Sequence, residues 1–205
     1  MQVNIKEHLL EHLPKMRLDE SGLQLPDVQI ETGMIQCIMI NEVPPADRED
    51  GFYGGSAGAD YMKTTLALFR DADVHVRDIR DILDRGIYIT TAVKTPKLQY
   101  TVPADAIAMH LPLLEKEIDL FPNVKVIMLM GDVAKRAFNM IAKKTTKKAV
   151  IPSKPTYKIR AEAFYYGSLR VFPSYIMTGG NILIEKSKRT MISEDIRRMM
   201  EILQG

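Results

Sequence analysis

Four short apolar runs set the frame of this chain: residues 35–40, 87–93, 124–130 and 169–172. Each is rich in β-branched or large apolar side chains and is bounded by turn residues such as Gly86, Gly131 and Pro173. Runs of that length and composition read as buried strands. Helical spacing fills the intervals. A first helix carries Ile5, Leu9, Leu10 and Leu13 and ends at Pro14, and residues 14–33 are polar and turn-rich. A second carries Tyr61, Leu66, Leu68 and Phe69, with Ser56 placed to cap it, and a third covers residues 76–84. Pro103 opens a helix through Ile107, Leu111, Leu114 and Ile118, with Pro112 expected to kink it. Residues 132–144 place Ala134, Ala137, Phe138 and Ile141 on one face, and residues 190–203 place Ile192, Ile196, Met199, Met200 and Ile202 on another.

Strands that alternate with helices predict a mainly parallel sheet covered on both faces through right-handed crossovers. The expectation is α/β: one domain over residues 1–205, three layers α/β/α, with a central, mainly parallel, four-stranded sheet.

Composition narrows the class. The 205 residues are 46% apolar and 26% charged, as in ordinary globular proteins. No stretch reaches the roughly 18 apolar residues of a membrane span, and the N-terminus, with Glu7, His8 and Glu11, lacks the apolar centre of a signal peptide. A cytoplasmic protein with no membrane partner is expected. The single cysteine, Cys37, lies in an apolar run and reads as core filler. Charge is unevenly spread: residues 1–132 carry a net −8 and residues 133–205 a net +10. Within 133–160 there are nine basic residues and no acid. That stretch reads either as a solvated lysine-rich surface or as a face for a polyanion, with Tyr157, Phe164, Tyr165 and Tyr166 available for stacking.

The chemistry concentrates at the strand ends. The first run opens into Asn41, Glu42, Val43, Pro44 and Pro45, followed by the glycine-rich stretch from Gly51 to Gly58 with Phe52 and Tyr53. Prolines stiffen such a loop and glycines admit a ligand close to the backbone. The second run ends at Thr90, Thr91, Lys94 and Thr95; the third gives Gly131-Asp132 at a helix start; the fourth gives Phe172, Pro173, Ser174 and Tyr175, then Thr178 to Asn181. Phosphate-loop and dinucleotide fingerprints are absent. Gly54-Gly55-Ser56-Ala57-Gly58 fits a hydrolase elbow by letters, but residues 44–53 are charged and proline-rich where that elbow needs a strand. His8 and His12 sit four apart on one helix face, which alone does not make a metal site. Glu42 reads either as a general base or as a loop carboxylate capping backbone donors. Phe52, Tyr53 and Phe172 read either as a wall for a base or as packing.

Taken in order, Asn41-Glu42-Val43-Pro44, Glu49-Asp50, Tyr53 ahead of Gly55-Ser56-Ala57-Gly58, Thr90-Thr91-Ala92-Val93-Lys94, Gly131-Asp132-Val133-Ala134 and Phe172-Pro173-Ser174 resemble the motif series of the uracil-DNA glycosylase superfamily over roughly residues 35–200. The resemblance implies that family's fold and hydrolysis of the N-glycosidic bond of a damaged or deaminated base in DNA. It also implies a DNA partner, single- or double-stranded, or a free nucleobase. On it, Glu42 is the catalytic carboxylate, and Tyr53, Phe52, Thr91 and Phe172 hold the base. Gly54, Gly55, Lys94, Ser174, Tyr175, Asn181, Lys147 and Lys148 contact the nucleic acid. The chain departs from the family where an asparagine is replaced by Thr91 and a histidine by Phe172, and the cysteines of an iron–sulfur cluster are missing, with Thr95 in one of their places. No metal or other cofactor is expected. Those departures point to a base that leaves easily. They keep open a superfamily member that binds without hydrolysis, and an enzyme acting on small nucleosides or nucleotides.

Overall fold

The computed structural model describes every residue except Arg17, Ser56 and Ala57. In chain order the elements are β1 (Gln2–Asn4), α1 (Ile5–His12), β2 (Gln29–Glu31), β3 (Cys37–Asn41), α2 (Asp60–Asp71), α3 (Ile79–Asp84) and β4 (Ile87–Thr91). They continue with α4 (Ala104–Asp119), β5 (Val126–Met130), α5 (Asp132–Thr146), α6 (Thr156–Ile159), β6 (Phe164–Tyr166), β7 (Leu169–Ser174) and α7 (Lys186–Gln204). The main sheet has the order β4-β3-β5-β7-β6, with the first four strands parallel and β6 antiparallel to β7. The α/β expectation stands, with a correction from four strands to five. β6 escapes a periodicity search because it is three residues long and none of them is fully buried. A two-stranded ladder, β1 with β2, lies apart from the main sheet, and β2 falls in the segment expected to be all turn.

Residues in β3, β4 and β5 are buried without exception, as strands covered on both faces must be. Ile38, Ile40, Tyr88, Ile127 and Leu129 pack with Leu9 of α1, Leu111 of α4 and Phe138 of α5. Alternate residues Cys37, Met39, Ile87, Ile89 and Met128 face the other way, onto Phe69 of α2, Ile82 of α3 and Ile196 of α7. Two apolar layers thus sandwich one sheet.

Helix ends follow local chemistry. Asn4 and Asp78 cap α1 and α3 by accepting from the backbone N–H of Glu7 at 3.1 Å and Asp81 at 2.9 Å, an arrangement worth about 1 kcal/mol each. Pro112 is accommodated inside α4, which continues to Asp119. Helix α2 starts at Asp60, after Ala59; Ser56, expected as its cap, lies outside the described residues. Strand order reverses between β3 and β5, because the chain leaves β3 for β4 on one side and returns to β5 on the other. A ligand crevice is expected beyond the carboxyl ends of strands at such a point. Glu42 and Gly131 stand there.

Candidate functional site

Glu42 leaves the end of β3 and turns its carboxylate onto the N-terminus of α5, where Oε1 accepts the Val133 N–H at 3.1 Å. Gly131 makes the approach possible. Its φ is +108°, and a Cβ there would lie 2.8 Å from Glu42 Cδ. Glu42 is half-buried, and burial holds its pKa above the ordinary glutamate value; the Val133 N–H works against that shift and the charge of Asp132 adds to it. Lys97, in the loop after β4, is close enough to favour the ionised form, and the Glu42 charge is in turn felt by the Tyr61 phenol. Tyr61 donates to the Val43 carbonyl at 3.0 Å and is hydrogen-bonded to Thr178 beyond β7. Segments from all four parallel strand ends therefore gather around this acid.

Beside it lies a pocket of about 180 Å³ walled by Pro44, Pro45, Phe52, Tyr53, Thr90 and Thr91 and closed by residues 24–27. Glu42 itself is outside the lining; Pro44, two residues on, is part of the wall. The wall is laced together locally. Gln24 donates to the Pro45 carbonyl at 2.9 Å, and its backbone N–H donates to Lys94 O at 2.7 Å. Arg48 donates to Leu23 O at 2.8 Å. Tyr53 donates its hydroxyl to Ile89 O at 2.8 Å, and Phe52 packs on Tyr61 with ring centroids 5.2 Å apart. Gly54 passes so close to the carbonyl of Arg48 that a Cβ would lie 2.7 Å from it. Gly55, at φ +81°, is exposed.

Of the residues expected to hold a base, Tyr53, Phe52 and Thr91 line this pocket. Phe172 does not. It lies inside β7 opposite Met128, buried, with the Arg170 guanidinium 4.3 Å from its ring centre.

Among the expected nucleic-acid contacts, Gly54, Gly55, Tyr175 and Asn181 are at this end of the sheet and at least partly accessible. Lys94 is not a surface cation. It is fully buried and donates to Thr90 Oγ1 at 2.8 Å, to Thr91 O at 2.6 Å and to the Glu117 carboxylate. Glu117 Oε1 also accepts from Tyr88 and Thr90, each at 2.7 Å. Burial lowers the Lys94 pKa and Glu117 opposes that shift. Ser174 is equally inaccessible, donating to Asp195 at 2.7 Å, and Asp195 is itself held by Arg160.

Lys147 and Lys148 are exposed but sit at the wrong end. Helix α5 starts at the crevice, and its 15 residues carry its C-terminus about 22 Å away. There Thr145 meets Tyr166 near the start of β7. Part of the basic stretch is also committed internally: Lys135 to Asp132 and Thr156, Arg136 to Val102 O, Lys144 to Glu115, and Arg160 to Asp195.

Sequence reasoning missed residues 24–27 as a pocket wall, since polar, turn-rich chain carries no periodic signal. Among the described residues no group of three or more His, Cys, Asp or Glu could hold a metal ion, and no helix is long and apolar enough to cross a membrane. No protein-family model matches the chain, and no curated protein matches it.

Proposed function

We propose that this chain is a divergent member of the uracil-DNA glycosylase superfamily that hydrolyses the N-glycosidic bond of a damaged or deaminated base in DNA. The observation that carries the reading is a ring-sized pocket, walled by Phe52, Tyr53 and Thr91, next to a half-buried carboxylate of raised pKa. At about 180 Å³ the pocket is smaller than the roughly 300–1,000 Å³ that drug-sized ligands occupy, and suits one flat heterocycle. An extruded base needs apolar or aromatic walls of this kind. The C1′–N bond breaks with its electron pair leaving on the base. Water adds to the C1′ cation, and Glu42 takes the water's proton and passes it to the departing base, which yields an abasic sugar and the neutral base. A carboxylate with a raised pKa suits that proton relay near neutral pH.

The test is base release from oligonucleotides carrying uracil, hypoxanthine, xanthine or alkylated bases, read by chromatography, with Glu42→Gln as comparison. Wild type should release at least one base, and Glu42→Gln should release none while keeping its stability. A group whose folded pKa is raised contributes stability that is lost as pH rises through that pKa, so at pH 7.5 the neutral amide removes a cost. No release from any substrate by folded protein defeats the hydrolase reading.

A second reading, a nucleobase-binding module without hydrolysis, is favoured by one observation: Phe172 is packed inside β7, and its ring has no donor to offer a departing base. It predicts a salt-sensitive gel shift on DNA without any released base.

A further inference from the structure

We propose that Asn41 is the residue that selects the ligand of this pocket, a planar heterocycle presenting a hydrogen-bond donor beside an acceptor. The inference rests on the nucleobase reading above and names the group that reads the base edge. Asn41 closes β3, and its side chain is fully buried. Neither its amide nitrogen nor its amide oxygen has a partner, and among the described residues it is the one side chain left with every polar atom both buried and unpaired.

Buried polar groups are nearly always hydrogen-bonded, and a leucine of similar shape would fill the same space without any desolvation cost. The neighbouring strand ends obey that rule. Thr90, Lys94 and Glu117 satisfy one another, and Ser174 is matched by Asp195. Asn41 breaks it at the end of an inner strand, beside the switch point.

Register places the amide next to a residue of the pocket wall, on the same face of the sheet. Asn41 and Thr91 are direct partners in the parallel β3–β4 ladder. Partners on adjacent strands project from the same face and lie about 4.8 Å apart. Thr91 lines the pocket, and so does Phe52, whose ring packs in the apolar layer on that same face with Met39 and Met130. The amide thus lies one side chain behind the pocket wall. The segment Gly51 to Gly54, which also lines the pocket, is tied to the sheet through the Tyr53 hydroxyl and Ile89 O. A ring that enters against Phe52 and Tyr53 and displaces Thr91 meets an N–H donor and a carbonyl acceptor in one plane. That pair complements the N–H and C=O edge of uracil or hypoxanthine. It rejects the same ring with the N–H methylated, because the site's acceptor is then left buried and unpaired.

The test is equilibrium dialysis of wild type, Asn41→Leu and Asn41→Asp with uracil, hypoxanthine, 3-methyluracil and 1-methylhypoxanthine, alongside melting temperatures. Wild type should bind the unmethylated rings at least about tenfold more tightly than the methylated ones. Asn41→Leu should melt at the same or a higher temperature, lose about tenfold or more in uracil affinity and cease to discriminate. Asn41→Asp, which keeps the acceptor and loses the donor pair, should also lose discrimination. If Asn41→Leu binds and discriminates like wild type, the pocket reading stands and the amide is not its reader. If binding is lost together with a lowered melting temperature, the role is structural and the proposal falls. If wild type binds none of these rings, the nucleobase reading falls and takes the proposal with it.

Discussion

Replacing Lys94 by methionine isolates the energetic role of the network behind the pocket wall. The ammonium uses all three of its donors: on Thr90 Oγ1, on Thr91 O and on Glu117. Both charged side chains are fully buried. Methionine matches the stem in length and removes the charge, so Glu117 keeps only the Tyr88 and Thr90 hydroxyls and Thr91 O loses a donor. Removing one member of a buried ion pair costs about 3–5 kcal/mol, because the remaining charge stays desolvated. For a chain of this size each kcal/mol shifts the melting temperature by about 2–4 °C, so a fall of about 6–20 °C is expected. In Lys94→Met/Glu117→Gln the glutamine carbonyl accepts the same two hydroxyls without a charge, and about half or more of the loss should return. Urea denaturation of the two single variants and the double gives the coupling energy directly. A surface cation predicts the opposite: a change within about 0.5 kcal/mol and a shallower salt dependence of DNA binding. A Lys94→Met cost under about 1 kcal/mol, or additive single effects, would refute the reasoning.

Two further outcomes follow from the same geometry. Gly131→Ala forces a Cβ onto Glu42 at a φ of +108°, at a strain of about 1–3 kcal/mol, and pushes the carboxylate off the α5 N-terminus. Base release should drop about 100-fold or more in single-turnover assays while ring binding stays close to wild type; unchanged release would show that the position of Glu42 does not matter. His110 is buried in α4, and burial, with help from the Lys94 charge, pulls its pKa down to about 4. The folded state therefore holds the ring neutral while the unfolded chain takes up a proton below about pH 6.5, so stability must fall between pH 6.5 and 4, by about 2–3 kcal/mol from this group. Urea melts at pH 7 and pH 4.5 should show that difference between wild type and His110→Leu; parallel curves would assign the acid sensitivity elsewhere.

Three of the strand runs were legible because their cause is local. Chain buried on both faces needs continuous apolar residues, and 35–40, 87–93 and 124–130 have them, within two residues of β3, β4 and β5. The glycine and proline punctuation placed the loops at the carboxyl ends, where Phe52, Tyr53 and Thr91 do line the pocket. The fate of individual polar side chains was not legible. Lys94 reads as a cation for phosphate until Glu117, 23 residues later on α4, turns in to bury it. Ser174 reads as a loop hydroxyl until Asp195 of α7 claims it. Lys147 and Lys148 follow the crevice closely in sequence, yet a straight helix carries them to the other end of the sheet.

Asn41 shows the limit most directly. In the sequence it is one polar letter between a strand and a loop. Its register with Thr91 and its lack of any partner exist only once β3 and β4 are paired. Backbone architecture follows from hydrophobic period and turn chemistry, which each segment carries within itself. Partner choice among buried polar groups depends on contacts between segments tens of residues apart, and those are made only in the folded chain.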